Sequence, residues 1–303
     1  MFEERSADIA SLSLERRAVL RRLTTLAAAA MLPRGGSAQR RGAPDAALVA
    51  AQLPLAAVGL EHIGTVVPDV SAAARFFGRV FNPQVYKEKA EPLRYYVTLD
   101  PGYIALGSRA NTSGGFIDHD CVLAEGYDRE AMDERLEQEG LPAGRFGIIA
   151  DPDGLGLQVL PIGGLAGSTE PAGAIVAGAP LVRPRGLYRV VRRVSELARS
   201  VDFYRRFFGR EIEPRDDGAV WFAVGPTLFG LEQAAAGAAP GIDRFCVNVA
   251  TGGYDVAAIR TALEALGAEV QTGSDEAFLH FRSPEGIGVE LRPVDPARIW
   301  GRT

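Results

Sequence analysis

The sequence predicts an α+β protein in which one folding unit is used repeatedly, and three observations lead there. The chain has 303 residues, long for one compact domain, so two domains are expected, each able to bury its own core. Leu60 to Phe81 (LEHIGTVVPDVSAAARFFGRVF) aligns without a gap on Leu187 to Phe208 (LYRVVRRVSELARSVDFYRRFF). Within each copy, strand-like alternation leads into a helical apolar pattern and then into further short strands.

The duplication extends through both copies. Ile117 to Val122 aligns on Ile242 to Val247, and the stretch from Asp151 to Gln158 (DPDGLGLQ) aligns on that from Ser283 to Glu290 (SPEGIGVE). The expected organisation is a linker over 39–57, a first domain over 58–161, a Gly/Ala/Pro-rich linker over 162–185, a second domain over 186–296 and a tail over 297–303. In the first copy a strand near Glu61 to Val67 precedes a helix over Ala72 to Phe81, where Phe76, Phe77, Val80 and Phe81 share a face. Strands follow near Gln84 to Glu88, Arg94 to Leu99 and Tyr103 to Gly107, separated by Pro92 and by Pro101-Gly102. A second start comes at Phe116 to Leu123, with a helix over Asp128 to Glu139. Strands Phe146 to Ala150 and Leu155 to Leu160 close that unit around the turn Asp151-Pro152-Asp153-Gly154.

Composition narrows the function. The apolar fraction of 47% and charged fraction of 23% are those of a soluble globular protein. Of 33 basic residues only Lys87 and Lys89 are lysine, the net charge is −5, and no basic stripe with interleaved aromatics occurs, which argues against nucleic-acid binding. Residues 1–38 read as an export signal. Glu15-Arg16-Arg17-Ala18-Val19-Leu20-Arg21 resembles the twin-arginine pattern, with an apolar run from Leu23 to Leu32 and small residues Gly35-Gly36-Ser37-Ala38 after it. The apolar run is too short for a bilayer span, so a periplasmic or secreted protein without a stable membrane span is expected.

The residues that carry chemistry are few. His62 lies in LEHIGTVV, His119 in FIDHDCVLA and Gln158 in LGLQVLP. Two imidazoles and an oxygen donor on one face suit Fe(II), Mn(II), Zn(II) or Ni(II) and leave positions open for a chelating substrate. Gln158 is a weaker donor than carboxylate. The alternative for the same residues is a pair of core histidines and a cleft-lining amide. In the second copy the corresponding residues are Arg189, Arg244 and Glu290. Guanidinium does not ligate a cation, so that site is degenerate, and an Arg–Glu–Arg cluster closing the core is expected there, with binding of an anionic ligand as the alternative. His280, the third histidine, lies outside the pattern and reads as packing or a local hydrogen bond. Cys121 shares a face with His119, and Cys121 and Cys246 read as buried thiols rather than a disulfide. Tyr95, Tyr96 and Tyr103 read as core packing rather than cleft lining.

On the motifs L-x-H-I with P-D-V and F-F-G-R, the strand IDHDCV and the turn DPDGLGLQV, the chain from Leu60 to Val294 resembles the vicinal oxygen chelate superfamily, which includes glyoxalase I, bleomycin-resistance proteins and extradiol dioxygenases. The resemblance implies two tandem domains, each of paired βαβββ modules whose sheets curve around a cleft, with metal ligands on the first strands and the last strand. His62 and His119 fall on the first-strand positions. Gln158 stands where the family usually has Glu, and no acid stands at the fourth glyoxalase position around Ala105 to Gly107. The implied function is that of an exported metalloenzyme, of dioxygenase, lyase or isomerase type, acting on a small oxygenated substrate. The ligand pattern is closer to the dioxygenases than to the four-ligand glyoxalases, although the extradiol enzymes commonly hold the metal in the second domain. A metal-free small-molecule binding protein of the bleomycin-resistance type is the alternative, and a scaffold built only for assembly is a third reading. No general base is nominated, and homodimerisation stays open.

Overall fold

The computed structural model describes residues 52–141, 147–163, 169–212, 218–271 and 278–295. The expected export signal, most of the first linker and the C-terminal tail lie outside the described residues.

The N-terminal half opens with β1 (Ala57–Val66), α1 (Val70–Val80), β2 (Val85–Glu88), β3 (Tyr95–Thr98) and β4 (Tyr103–Gly107). It continues with β5 (Phe116–Ala124), α2 (Arg129–Gln138), β6 (Ile148–Ala150) and β7 (Gly156–Pro161). The short β8 (Thr169–Pro171) follows, pairing with β2 from inside the stretch expected to be only a linker. The C-terminal half runs β9 (Pro184–Val194), α3 (Leu197–Phe208), β10 (Val220–Val224), β11 (Thr227–Gln233), β12 (Gly241–Ala250), α4 (Val256–Ala265), β13 (Glu269–Gln271), β14 (Leu279–Arg282) and β15 (Gly288–Val294).

The helices begin where local chemistry starts them. Asp69 accepts from the amides of Ser71 and Ala72 at 2.9 Å and caps α1, and Asp128 and Asp255 do the same for α2 and α4. α1 buries Ala73, Ala74, Phe76, Phe77 and Val80 against the sheet, each large side chain contributing about 1.5–3 kcal/mol of transfer free energy.

In each half the two long first strands lie side by side and antiparallel at the centre, β1 with β5 and β9 with β12. Each is flanked on its outer side by a parallel partner: β4 beside β1, β7 beside β5, β11 beside β9 and β15 beside β12. The halves join into one sheet where Ile242 of β12 pairs with Ile117 of β5.

A buried charge cluster locks this junction. Arg192 of β9 is wholly buried. Its guanidinium donates to Asp120 (3.0 Å from Nε), Asp151 (3.3 Å), the Tyr204 hydroxyl (2.5 Å) and the Gly156 carbonyl (2.6 Å). Tyr204 in turn donates to Asp151 at 2.7 Å. Three of these acceptors belong to the N-terminal half, so the second half inserts its cation beneath the Asp151-Pro152-Asp153-Gly154 turn of the first. Burial pushes the Asp120 carboxyl above the usual carboxylate range, with Arg192 opposing.

Candidate metal centre

The register brings the sequence-selected residues onto one face. Across β4, β1, β5 and β7 a single row reads Tyr103, His62, Cys121 and Gln158. One step further along, Ala105, Gly64, His119 and Gly156 form the adjacent row. His62 and Gln158 are each about 5% exposed, so the set is nearly dry. Gln158 is on the same face as the histidines but separated from His62 in its row by Cys121.

The two imidazoles meet directly. His62 Nε2 and His119 Nε2 face each other at 3.2 Å, with the rings at 88°. Their opposite nitrogens are both engaged by carboxylates: His62 Nδ1 lies 2.8 Å from Glu61 Oε2, and His119 Nδ1 lies 2.9 Å from Asp118 Oδ2. Arg109 holds Asp118 from its outer side at 2.5 Å.

Adjacent residues on a regular strand point to opposite faces, so a residue and its immediate neighbour do not normally touch in this way. Two β-bulges make it possible. Leu60 pairs with Val122 and His62 with Cys121, which leaves Glu61 as the extra residue on β1. Gly64 pairs with His119 and Thr65 with Ile117, which leaves Asp118 as the extra residue on β5. Each bulge turns the acid toward the imidazole that follows it.

Gly64 is required by the same arrangement. A Cβ there would lie 2.1 Å from His119 Cε1 and 2.5 Å from Nε2, so only glycine lets the His119 ring lie across β1. On the other side, Tyr103 stacks on His62 with ring centroids 4.6 Å apart and planes within 12°. Tyr103 therefore belongs to the site rather than to the core where the sequence reading put it. Burial, then the nearby Glu61 charge, raise its hydroxyl well above the ordinary tyrosine value, so it stands as a neutral phenol.

Burial lowers the affinity of His62 for a proton despite the adjacent Glu61, and burial likewise pushes the Cys121 thiol far up. His62 is thus a neutral imidazole near neutral pH, and Cys121 a thiol. The donor atoms of Glu61, His62 and Cys121 also lie within 4.8 Å of one another. Both cysteines are free.

The geometry suits a cation. Two imidazole nitrogens that each bind one ion at ~2.1 Å are separated by about 3.0–3.4 Å when they occupy neighbouring positions of an octahedron or tetrahedron. The observed 3.2 Å falls in that interval.

In the C-terminal half, Leu228, Arg189, Cys246 and Glu290 occupy the row equivalent to Tyr103, His62, Cys121 and Gln158. Arg189 Nε donates to one oxygen of Glu290 and Arg244 Nε to the other, both at 2.7 Å. Arg244 also donates to Glu232 at 2.6 Å and to Asp243 at 2.8 Å. Arg189 lies over Trp221 and Phe278, 5.3 and 5.6 Å from the ring centroids. Burial pushes Glu290 up, but Arg189 and Arg244 outweigh it and hold its carboxyl below the usual range. His280 pairs across the strands with Glu290 and places Nδ1 3.5 Å from its Oε1.

No protein-family model and no curated protein sequence matches the chain. Solved structures do. A Mn(II)-bound glyoxalase from Novosphingobium aromaticivorans superposes with a TM-score of 0.55 at 15% identity, covering 83% of this chain and 92% of that one. A variant of 4-hydroxymandelate synthase from Streptomyces coelicolor gives 0.54 at 13%, covering 78% and 92%. A catechol 2,3-dioxygenase gives 0.54 at 14%, covering 80% and 91%. The chain thus has the α+β fold of the vicinal oxygen chelate proteins.

Among the described residues no helix is long and apolar enough to cross a membrane.

Proposed function

We propose that the N-terminal half holds one divalent metal ion through His62 and His119, with Gln158 as the third donor, and that the protein is an enzyme acting on a small oxygenated substrate. The observation that carries this reading is the pair of facing Nε2 atoms at 3.2 Å with both Nδ1 atoms already engaged by carboxylates. Two lone pairs pointed at each other repel unless a cation or proton lies between them. A bound divalent ion supplies Lewis acidity toward an oxygen that gains negative charge during reaction.

The chain's own residues do the rest. His62 and His119 would occupy two positions of a bound ion, leaving others for Gln158 and a chelating ligand. Tyr103 fixes the plane of the His62 ring and presents a neutral hydroxyl beside it. The near-complete burial of His62 and Gln158 keeps water from competing. Fe(II), Mn(II), Zn(II) and Ni(II) all suit this donor set. A dioxygenase-like reaction is the first choice among the chemistries, because two histidines without a fourth-position acid resemble that arrangement more than the four-ligand one. We extend the proposal to the whole chain: residues 1–38 direct export to the periplasm or beyond, and 58–161 and 186–296 are tandem domains.

The test is metal analysis of protein purified without chelator. About one equivalent of divalent metal is expected in the wild type, and under roughly a tenth in H62A and H119A, since each substitution deletes a direct donor. Metal bound equally by all three proteins would overturn the site. Oxygen uptake with catechol-like substrates then separates dioxygenase from lyase or isomerase chemistry.

One observation favours a second reading, a metal-free small-molecule binding protein. No carboxylate stands in the rows with the histidines, and Gln158 and Gly107 take the positions that Glu290 and Glu232 fill in the second half.

A further inference from the structure

We propose that Glu61 and Asp118 are positioning residues that supply, from behind the histidines, the negative charge missing from the direct donors, and that Glu61 carries the larger share. This rests on the metal reading above and specifies how the site works without a carboxylate ligand.

The direct set of His62, His119 and Gln158 is neutral, so a divalent ion would be held in a nearly dry cleft without a counter-charge among its ligands. Such a charge is costly to bury unless opposite charge lies close. The two bulge carboxylates stand one imidazole away from the metal position, each accepting from an Nδ1–H. That contact fixes the tautomer: with the proton on Nδ1, the Nε2 lone pair is free to bind. A carboxylate in this position also makes the imidazole a better donor and compensates the ion through the ring.

The two acids are not equivalent. Asp118 is shared with the Arg109 guanidinium at 2.5 Å, which offsets part of its charge. Glu61 has no guanidinium or ammonium partner among the described residues and lies nearer the interior, with a side chain 16% exposed against 22% for Asp118. Its remaining neighbours are the Cys121 thiol at 3.7 Å and Tyr103, both neutral. Both bulges recur in the second half, at Tyr188 and Asp243, so the fold supplies them; what is particular to the first half is that an acid occupies each and faces a histidine.

The experiment has two arms. In the first, binding of Mn(II) to chelator-stripped protein is measured by calorimetry for the wild type, E61Q and D118N. Gln and Asn keep the size and the acceptor oxygen and remove only the charge. E61Q is expected to weaken binding roughly 10- to 100-fold and D118N by less. In the second, nitrogen chemical shifts of the imidazoles are recorded for the metal-free wild type, where both rings are expected to carry the proton on Nδ1. In E61A, which removes the acceptor, the Nε2–H form of His62 should appear, and E61Q should restore the wild-type pattern.

Unchanged affinity in E61Q, or a larger loss in D118N, would overturn the charge assignment. An Nε2–H wild type would overturn the tautomer assignment. A wild type that binds no metal would overturn the metal reading and the charge assignment with it, while the nitrogen spectra would still decide the tautomer.

Discussion

The two halves present the same four cross-strand positions with opposite chemistry. In the first they are His62, Gly107, His119 and Gln158; in the second, Arg189, Glu232, Arg244 and Glu290. The first half has two imidazole nitrogens and no acid at the outer positions. The second keeps both acids and points a guanidinium at them from each first-strand position. A carboxylate cup needs a cation. The second half carries its own on its side chains, joined through both oxygens of Glu290, whereas on the reading proposed here the first half takes a cation from solution. The bulges beneath the sites differ in the same sense. Asp243 sits in the bulge equivalent to that of Asp118 and pairs with Arg244 instead of a histidine, and Tyr188 takes the place of Glu61.

The sharpest way to break this comparison is to remove the charge at the centre of the second site. E290Q leaves Arg189 without its acidic partner in a site where Glu290 is only 1% exposed at its side chain, and loss of one member of a buried pair costs about 3–5 kcal/mol. Urea denaturation at pH 7 should therefore show E290Q destabilised by several kcal/mol, with metal content of the protein unchanged. The sign of the pH dependence follows from the depressed Glu290 carboxyl. A group whose pKa is lower folded than unfolded contributes stability above its unfolded value and loses it as pH falls through the folded one. The gap between wild type and E290Q should accordingly narrow as pH drops below about 4, the ordinary range of an unfolded glutamate. A gap independent of pH would mean that Glu290 stabilises by packing rather than by charge.

The next effect is a gain. If guanidinium groups stand in for a cation, replacing both should let the second cup take one. R189H combined with R244H places imidazoles at the first-strand positions while Glu232, Glu290 and the bulge acid Asp243 stay. The expected outcome is a second equivalent of divalent metal per chain at pH 7, with E290Q added to the same background abolishing it, because carboxylate donors favour binding of hard and borderline cations. Failure to bind in a folded double variant would show that the two halves differ in backbone geometry as well as in side chains.

How much of this could be read from the chain differs by level. The duplication, the α+β class and the face shared by His62, His119 and Gln158 follow from alignment and from period-two alternation, and the register places them in adjacent rows. The partners of the histidines were out of reach for a physical reason. Glu61 and Asp118 are next to the histidines in sequence, and alternation sends neighbours to opposite faces. Only a bulge reverses that, and neither LEHIG nor IDHDC carries a glycine at the bulged residue to announce one. One signal was present: an acid precedes His119 and Arg244 alike, as Asp118 and Asp243. The partner of His280 is hidden for a similar reason, since its link to Glu290 runs across a strand pair whose register no sequence pattern fixes. Tyr103 was assigned to the core because a strand aromatic is equally at home there.

The smallest of the expected effects tests a residue that the comparison of halves isolates. Gly64 and Val191 are equivalent: Gly64 pairs with His119, Val191 with Arg244. The second half tolerates a branched side chain at this position, where Val191 is fully buried and the Arg244 guanidinium is turned to Glu290, Glu232 and Asp243. In the first half a Cβ at Gly64 would lie within 2.1 Å of the His119 ring, and the ring cannot retreat without giving up Asp118 or its approach to His62. G64A should therefore displace His119 at a cost of roughly 1–3 kcal/mol, the usual range for overpacking. It should also weaken Mn(II) binding by about tenfold or more, since each 1.4 kcal/mol is a factor of ten. V191G, its counterpart, should lower stability modestly and leave metal binding untouched. Equal metal affinity in G64A and wild type would place the ion away from the His62–His119 pair, because the added methyl group would overlap the His119 ring where it now makes its 3.2 Å approach to His62.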